Sequence, residues 1–106
     1  MKDTLRLPIK GKWFNKIVSG DKKEEYRDIK PYYKSRFLNK DGSFKSFKYV
    51  EFVNGYGHRS PRAVFECLGI KEGLGDVKMG APFVYCYIVL IGEMIGLCKP
   101  WEENEK

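Results

Sequence analysis

The run Ala81-Pro82-Phe83-Val84-Tyr85-Cys86-Tyr87-Ile88-Val89-Leu90-Ile91 is the strongest constraint on how this chain can fold. It is the longest apolar stretch in the sequence. It is too short for a helical membrane span, which needs about 20 apolar residues. Its β-branched and aromatic residues read as a strand covered on both faces, so Phe83 to Ile91 is expected at the centre of a sheet. Gly92 to Leu97 then either bends away or continues as a last short strand.

The rest of the chain supplies neighbours for that strand. Thr4 to Ile9 alternates apolar and polar residues, with Pro8 limiting it to an edge or a strand end. Phe47 to Val53 and Arg62 to Ile70 are strand-like, and a shorter strand is expected over Glu24 to Ile29. Between them, Trp13, Phe14, Ile17 and Val18 share one helical face from Gly11 to Val18, and Gly20 fits the position just past a helix end. Pro31 suits the first turn of a short second helix, in which Tyr33 and Phe37 face inward together. Asn39 to Ser43 and the glycine-rich Lys71 to Gly80 are loops, the latter facing solvent. No repeat, linker or βαβ rhythm divides the 106 residues. The expectation is one domain, residues 1–106, of α+β class and mostly β. It would be a small barrel of about five to six strands with one main helix and a short second one. A half-open sheet with a helix packed across it is the nearest alternative.

Charge is unevenly placed. Residues 1–62 hold 16 Lys and Arg against 7 Asp and Glu, and the remainder hold 4 against 7, giving +9 and −3 of the net +6. A basic half attracts phosphates and other anions, although a merely lysine-rich surface fits as well. Cys67, Cys86 and Cys98 are odd in number and form no CxxC pair, and His58 is the only histidine. No structural zinc site and no cofactor motif is expected, and reduced thiols suit a cytoplasmic protein without a membrane segment. Gly73, Gly75 and Gly80 lack the spacing of a phosphate-binding loop.

The densest chemistry lies in Ser19 to Asp28. On a strand, Glu25 and Arg27 share a face and Tyr26 points the other way, toward the core. Lys22 sits at the mouth of that strand. Arg27 offers a forked donor for phosphate or a base edge, Lys22 a point charge or a base, and Glu25 an acceptor or an anchor for its neighbours. Tyr32 and Tyr56, beside basic residues in loop-like stretches, are stacking candidates. Asn54 could read a base edge, and Arg62 could contact a phosphate backbone, with Arg59 beside it. Plainer readings stay open: a surface ion-pair cluster for Lys22, Glu25 and Arg27, packing under the short helix for Tyr32, a turn role for Asn54-Gly55, and a solvated loop position for His58.

Gly20-x-Lys22-x-x-Glu25-x-Arg27 resembles the GxKxxExR signature of ASCH domains in the PUA-like superfamily. The order of elements is similar over most of the chain, including a Gly-Glu pair, Gly92-Glu93, after the hydrophobic run. The resemblance implies a compact β-barrel with a cleft lined by the signature residues, binding RNA or a nucleotide-like small molecule. It also implies a second possibility. One branch of the family looks like a small amidohydrolase of acylated pyrimidine nucleosides, using the signature lysine and a threonine nucleophile. Lys22 matches that lysine, but Glu25 stands where the threonine would be, and a carboxylate does not replace an activated hydroxyl in acyl transfer.

The favoured expectation is therefore an RNA- or nucleotide-binding module, with Lys22, Glu25, Arg27, Tyr32, Asn54, Tyr56 and Arg62 around the ligand. The alternatives are a hydrolase of modified nucleosides or RNA, with Lys22 and Glu25 as catalytic acid–base pair, and a protein-interaction module using Tyr32-Tyr33. The oligomeric state is not legible in the sequence.

Overall fold

The computed structural model describes residues 3–57 and 59–98. The chain runs β1 (Thr4–Ile9), α1 (Gly11–Ser19), β2 (Glu24–Arg27), α2 (Pro31–Phe37), β3 (Tyr49–Asn54), β4 (Arg62–Gly73), a 3-10 turn (Val77–Met79) and β5 (Cys86–Cys98). The five strands form one sheet in the order β1-β3-β4-β5-β2. β1 pairs with β3 in parallel, and all other pairs are antiparallel. The expected α+β, mostly β fold with one main and one short helix is what the chain adopts. The sheet curls into a half-barrel whose ladder stays open between its two edges, β1 and β2.

The long pair β4–β5 explains the curl. Its register slips between Val64 and Phe65, Phe65 and Cys67, and Cys67 and Gly69, and such bulges bend a strand and increase its twist. Gly69 takes φ +141° within the irregular stretch, a backbone conformation open to glycine at little cost. β5 changes partners along its length. Tyr87 through Leu90 lies between β4 and β2, while its far half pairs with β4 alone.

Side chains on the concave face close the core. Leu5, Leu7 and Ile9 alternate inward from β1 and meet Val50 and Phe52 of β3, Phe65 of β4 and Val89 of β5. α1 adds Phe14 and Ile17, and α2 adds Phe37, which meets Tyr87 edge-on at 5.3 Å. Tyr33 and Phe37 stack at 5.6 Å, as the i, i+4 spacing predicts. No helix among the described residues is long and apolar enough to cross a membrane.

Several boundaries differ from the sequence expectation. The second strand ends at Arg27, short of Ile29, because Lys30 N–H turns back to the Asp28 carbonyl and Pro31 starts α2. The apolar run enters the sheet only at Cys86. Its partner strand ends at Gly73, leaving Phe83, Val84 and Tyr85 exposed in the connecting loop. Gly92 to Leu97 does not bend away; it continues as strand, the outer half of β5. The polar tail from Trp101 and the loop position of His58 lie outside the described residues.

The loop from Leu74 to Tyr85 is not simply solvent-facing. A Cβ on Gly75 would lie 2.3 Å from the Tyr26 ring and 2.8 Å from Ala81 Cβ. Gly75→Ala should therefore destabilise the protein by about 1–3 kcal/mol, through overpacking against Tyr26. Gly96→Ala, with nothing within 4 Å, should cost less. Urea unfolding of both variants checks this ordering.

Candidate functional site

Three local devices build the site from Gly20 to Arg27. α1 ends at Gly20 in the left-handed conformation, φ 89°, with its N–H bonded to the Ile17 carbonyl. The chain then folds back, and Lys22 N–H bonds to the Lys16 carbonyl. That reversal drives the Lys22 side chain inward, leaving it 1% exposed. From Glu24 the backbone is extended, so Glu25 and Arg27 project together while Glu24 and Tyr26 project to the other side.

Glu25 is the shared partner of two cations. Its Oε1 lies 3.4 Å from Lys22 Nζ, and its Oε2 accepts from Arg27 Nη2 at 2.7 Å and Arg27 Nε at 3.0 Å. Lys22 Nζ also donates to the Met79 carbonyl, and it sits 4.3 Å from the Tyr26 ring centroid and 5.1 Å from that of Trp13. Burial holds the Lys22 ammonium below its ordinary pKa, with Glu25 pulling partly the other way. Arg27 Nη1 donates to the Tyr33 hydroxyl at 3.0 Å. Its Nη2 donates to the Pro8 carbonyl at 2.8 Å, so one β2 side chain bridges to β1 across the open seam of the sheet.

Tyr26 differs from its expected place in the core. It is half-buried under the Leu74–Tyr85 loop, with its hydroxyl donating to Glu24 at 2.8 Å and accepting from Asp76 N–H at 3.2 Å. The opposite face of β2 is covered there by a loop carrying polar backbone, and the phenol satisfies both groups. Burial first, then the Glu24 carboxylate, push its pKa up to about 12, against the Asp76 N–H contact, which lowers it.

Beside the triad, a cavity of about 690 Å³ opens at the seam. One wall is Glu25, Tyr26 and Arg27, with Asp28 beyond them. Facing it are Lys10 and Trp13 at the start of α1, and Pro8 and Ile9 at the end of β1. Tyr33 closes one side, Asn54, Gly55 and Tyr56 a second, and Gly80 to Pro82 a third. A Cβ on Gly80 would stand 3.1 Å from the Trp13 indole, so only a glycine lets the loop lie so close to that ring, at φ +99°.

Of the residues expected at a ligand, the fold brings Glu25, Arg27, Asn54 and Tyr56 to this cavity. Lys22 lies behind the wall and is not among the lining residues. Tyr32 is exposed on α2 next to Tyr33, with ring centroids 5.0 Å apart, and lies outside the cavity lining. Arg62 is also outside it, and its guanidinium reaches the Gly57 and Ser60 carbonyls at 3.4 Å, within the turn from β3 to β4. Sequence reasoning missed Trp13, which looked like core, and Lys10, which precedes the helix. The absence of a capping side chain and of acidic residues in the first turn of α1 was the legible sign that this helix end faces something other than its own cap.

The chemistry on offer is a few free hydrogen-bond donors beside aromatic faces. The charged groups that line the cavity balance, Lys10 and Arg27 against Glu25 and Asp28, with the Lys22 ammonium buried just behind Glu25. Arg27 has four of its N–H groups engaged, leaving one Nη1–H. Among the described residues the Asn54 amide and the Lys10 ammonium have no partner, and Tyr56 is 93% exposed at the rim. The positive end of α1 opens onto the same space. No family model, no curated protein and no solved structure matches this chain.

Two outcomes test the buried cluster. Glu25→Gln leaves the buried Lys22 and the half-buried Arg27 without their carboxylate and should cost about 3–5 kcal/mol in urea unfolding, far more than Glu66→Gln at an exposed site. Tyr26 keeps its proton to higher pH when folded than the ordinary value of 10.0 allows, so its contribution to stability is whole below pH 10 and declines as pH rises toward 12. Burial also raises the Tyr87 phenol, so phenolate absorbance should show more than one late-titrating tyrosine, and Tyr26→Phe should lower that late amplitude by one tyrosine.

Proposed function

We propose that the cavity binds a nucleotide, either free or as one unit of single-stranded RNA, and that the chain is an ASCH-like module of PUA-like type. The carrying observation is the combination of an unpartnered Lys10 ammonium, one free Arg27 N–H and an unpartnered Asn54 amide, among the described residues, in one cavity between Trp13 and Tyr56. A base needs an aromatic face and an edge reader, and a phosphate needs a cation, and these walls supply all three. The volume falls in the range of small-molecule sites. Lys10 and the uncapped start of α1 favour a negative group at the mouth.

Recognition accounts for the site better than hydrolysis. The hydrolytic alternative requires Lys22 and Glu25 to exchange protons with a substrate. Lys22 stands behind Trp13 and Tyr26 with its ammonium committed to Met79 and Glu25. The Glu25 carboxylate is shared between two cations. A cytoplasmic setting fits the three unpaired thiols, Cys67, Cys86 and Cys98.

The test uses Trp13 as reporter in a Trp101→Phe background. Mononucleotides should quench its fluorescence, and Asn54→Ala should weaken that binding about three- to tenfold, the worth of one hydrogen bond. Lack of quenching by all four ribonucleoside monophosphates, together with no salt-dependent anisotropy change with a single-stranded RNA oligomer, would sink the reading.

A further inference from the structure

Most of the net charge of the chain sits away from the cavity. Residues 29–50 contain Lys30, Lys34, Arg36, Lys40, Lys45 and Lys48 against Asp41 alone, a net +5 out of +6. The first part of that segment is α2, and the next part folds into a tight turn tied to it. Asn39 N–H bonds to the Ser43 carbonyl at 2.8 Å, Gly42 N–H to Asn39 at 3.0 Å and Lys45 N–H to Phe37 at 2.8 Å. Between helix and turn lies a second concavity, of about 780 Å³, lined by Lys34, Lys40 and Lys45 with Ser35, Asn39 and one acid, Asp41.

The cations there are not spent on neighbours. Lys34 and Lys40 have no side-chain partner among the described residues, and Lys45 Nζ reaches only the Ser35 carbonyl, at 3.0 Å. The one acid, Asp41, is turned back on its own turn. Its Oδ1 accepts from Ser43 N–H at 3.0 Å and Ser43 Oγ at 2.6 Å. Three lysines against one carboxylate leave this concavity net positive, with hydroxyl and amide groups beside them, and that suits phosphate oxygens.

α2 also links this groove to the cavity. At about 100° per residue, Pro31, Lys34, Ser35 and Leu38 share the face toward the groove, while Tyr33 turns to the cavity on the far side of the helix. Tyr32 and Arg36 occupy the strip between, with the guanidinium 5.7 Å from the ring centroid and Tyr32 60% exposed. The separation is about one helix diameter, ~10 Å, a span that two or so nucleotides of an extended strand cover.

We propose that the Lys34–Lys40–Lys45 groove is a second site, for backbone phosphates of a single-stranded nucleic acid whose one nucleotide occupies the cavity. The strand crosses α2 over Tyr32. This rests on the nucleotide reading of the cavity for the strand's path, but the groove is testable on its own.

The experiment compares uridine monophosphate with a fluorescein-labelled decauridylate across a salt series, for wild type and Lys34→Gln/Lys40→Gln/Lys45→Gln. The triple variant should bind the decamer at least about tenfold more weakly, with a log–log salt slope shallower by about two. Monophosphate binding should not change. Lys34→Gln/Lys40→Gln, which breaks no contact in the protein, should show a partial loss. Lys71→Gln/Lys78→Gln, at exposed lysines elsewhere, should show none. Decamer binding at wild-type affinity and slope in the triple variant overturns the groove, whatever the monophosphate does. Loss of decamer binding in the triple variant, with no monophosphate bound by any form, keeps the groove and removes the cavity reading. Equal competition by poly-glutamate overturns the assignment to phosphodiester.

Discussion

The carboxylate of Glu25 is the contact on which the rest of this molecule depends. It holds Lys22, which comes from the turn after α1, and Arg27, which comes from the same face of β2. Those two cations reach parts of the chain that the backbone ladder does not join. Lys22 ties down the Leu74–Tyr85 loop at Met79, and Arg27 reaches β1 at Pro8 and α2 at Tyr33. Without the carboxylate, the buried Lys22 and the half-buried Arg27 would have only dipoles and ring faces to balance them. A buried ion pair gains little net stability over apolar packing, so the main consequence of this triad is positional. It fixes one arrangement of four elements around one side chain.

The curl of the sheet makes that arrangement useful. Bulges in β4–β5 bend the sheet until β1 and β2 face each other, but no ladder joins them. A closed ladder would have filled the space with backbone hydrogen bonds. Here Arg27 spans the seam with a side chain, and the gap beside it remains as a cavity lined by Trp13, Asn54, Glu25 and Arg27. The same residue therefore completes the fold and forms a wall of the site. This dual role leaves it only one free N–H, so most of the free polar groups at the cavity belong to Asn54 and Lys10.

Much of this was legible along the chain, because local pattern and final structure agree wherever contacts are local. Alternation in Thr4–Ile9, the apolar stripe of Gly11–Ser19, the stop at Gly20 and Pro31 at the start of α2 all read correctly. The pairing of Glu25 with Arg27 follows from strand period alone. Reading failed where a partner strand decides the outcome. Phe83 to Tyr85 are as apolar as the residues after them, yet they are exposed, since β4 has already ended at Gly73. Tyr26 left the core because a loop some fifty residues away brings Asp76 N–H to its hydroxyl.

The sequence by itself determined the class of fold and the charged stretch around which it is arranged, because periodicity and turn residues act over a few positions. Only the tertiary structure decided which of those charges faces the cavity. Lys22, the most conspicuous cation by spacing, is sealed behind Trp13 and Tyr26, and Tyr32 and Arg62 face elsewhere. Asn54 and Trp13 come together at the cavity only because a parallel strand pair sets the end of β3 beside the start of α1. Such convergence depends on the curvature of the whole sheet, which no short window of residues encodes.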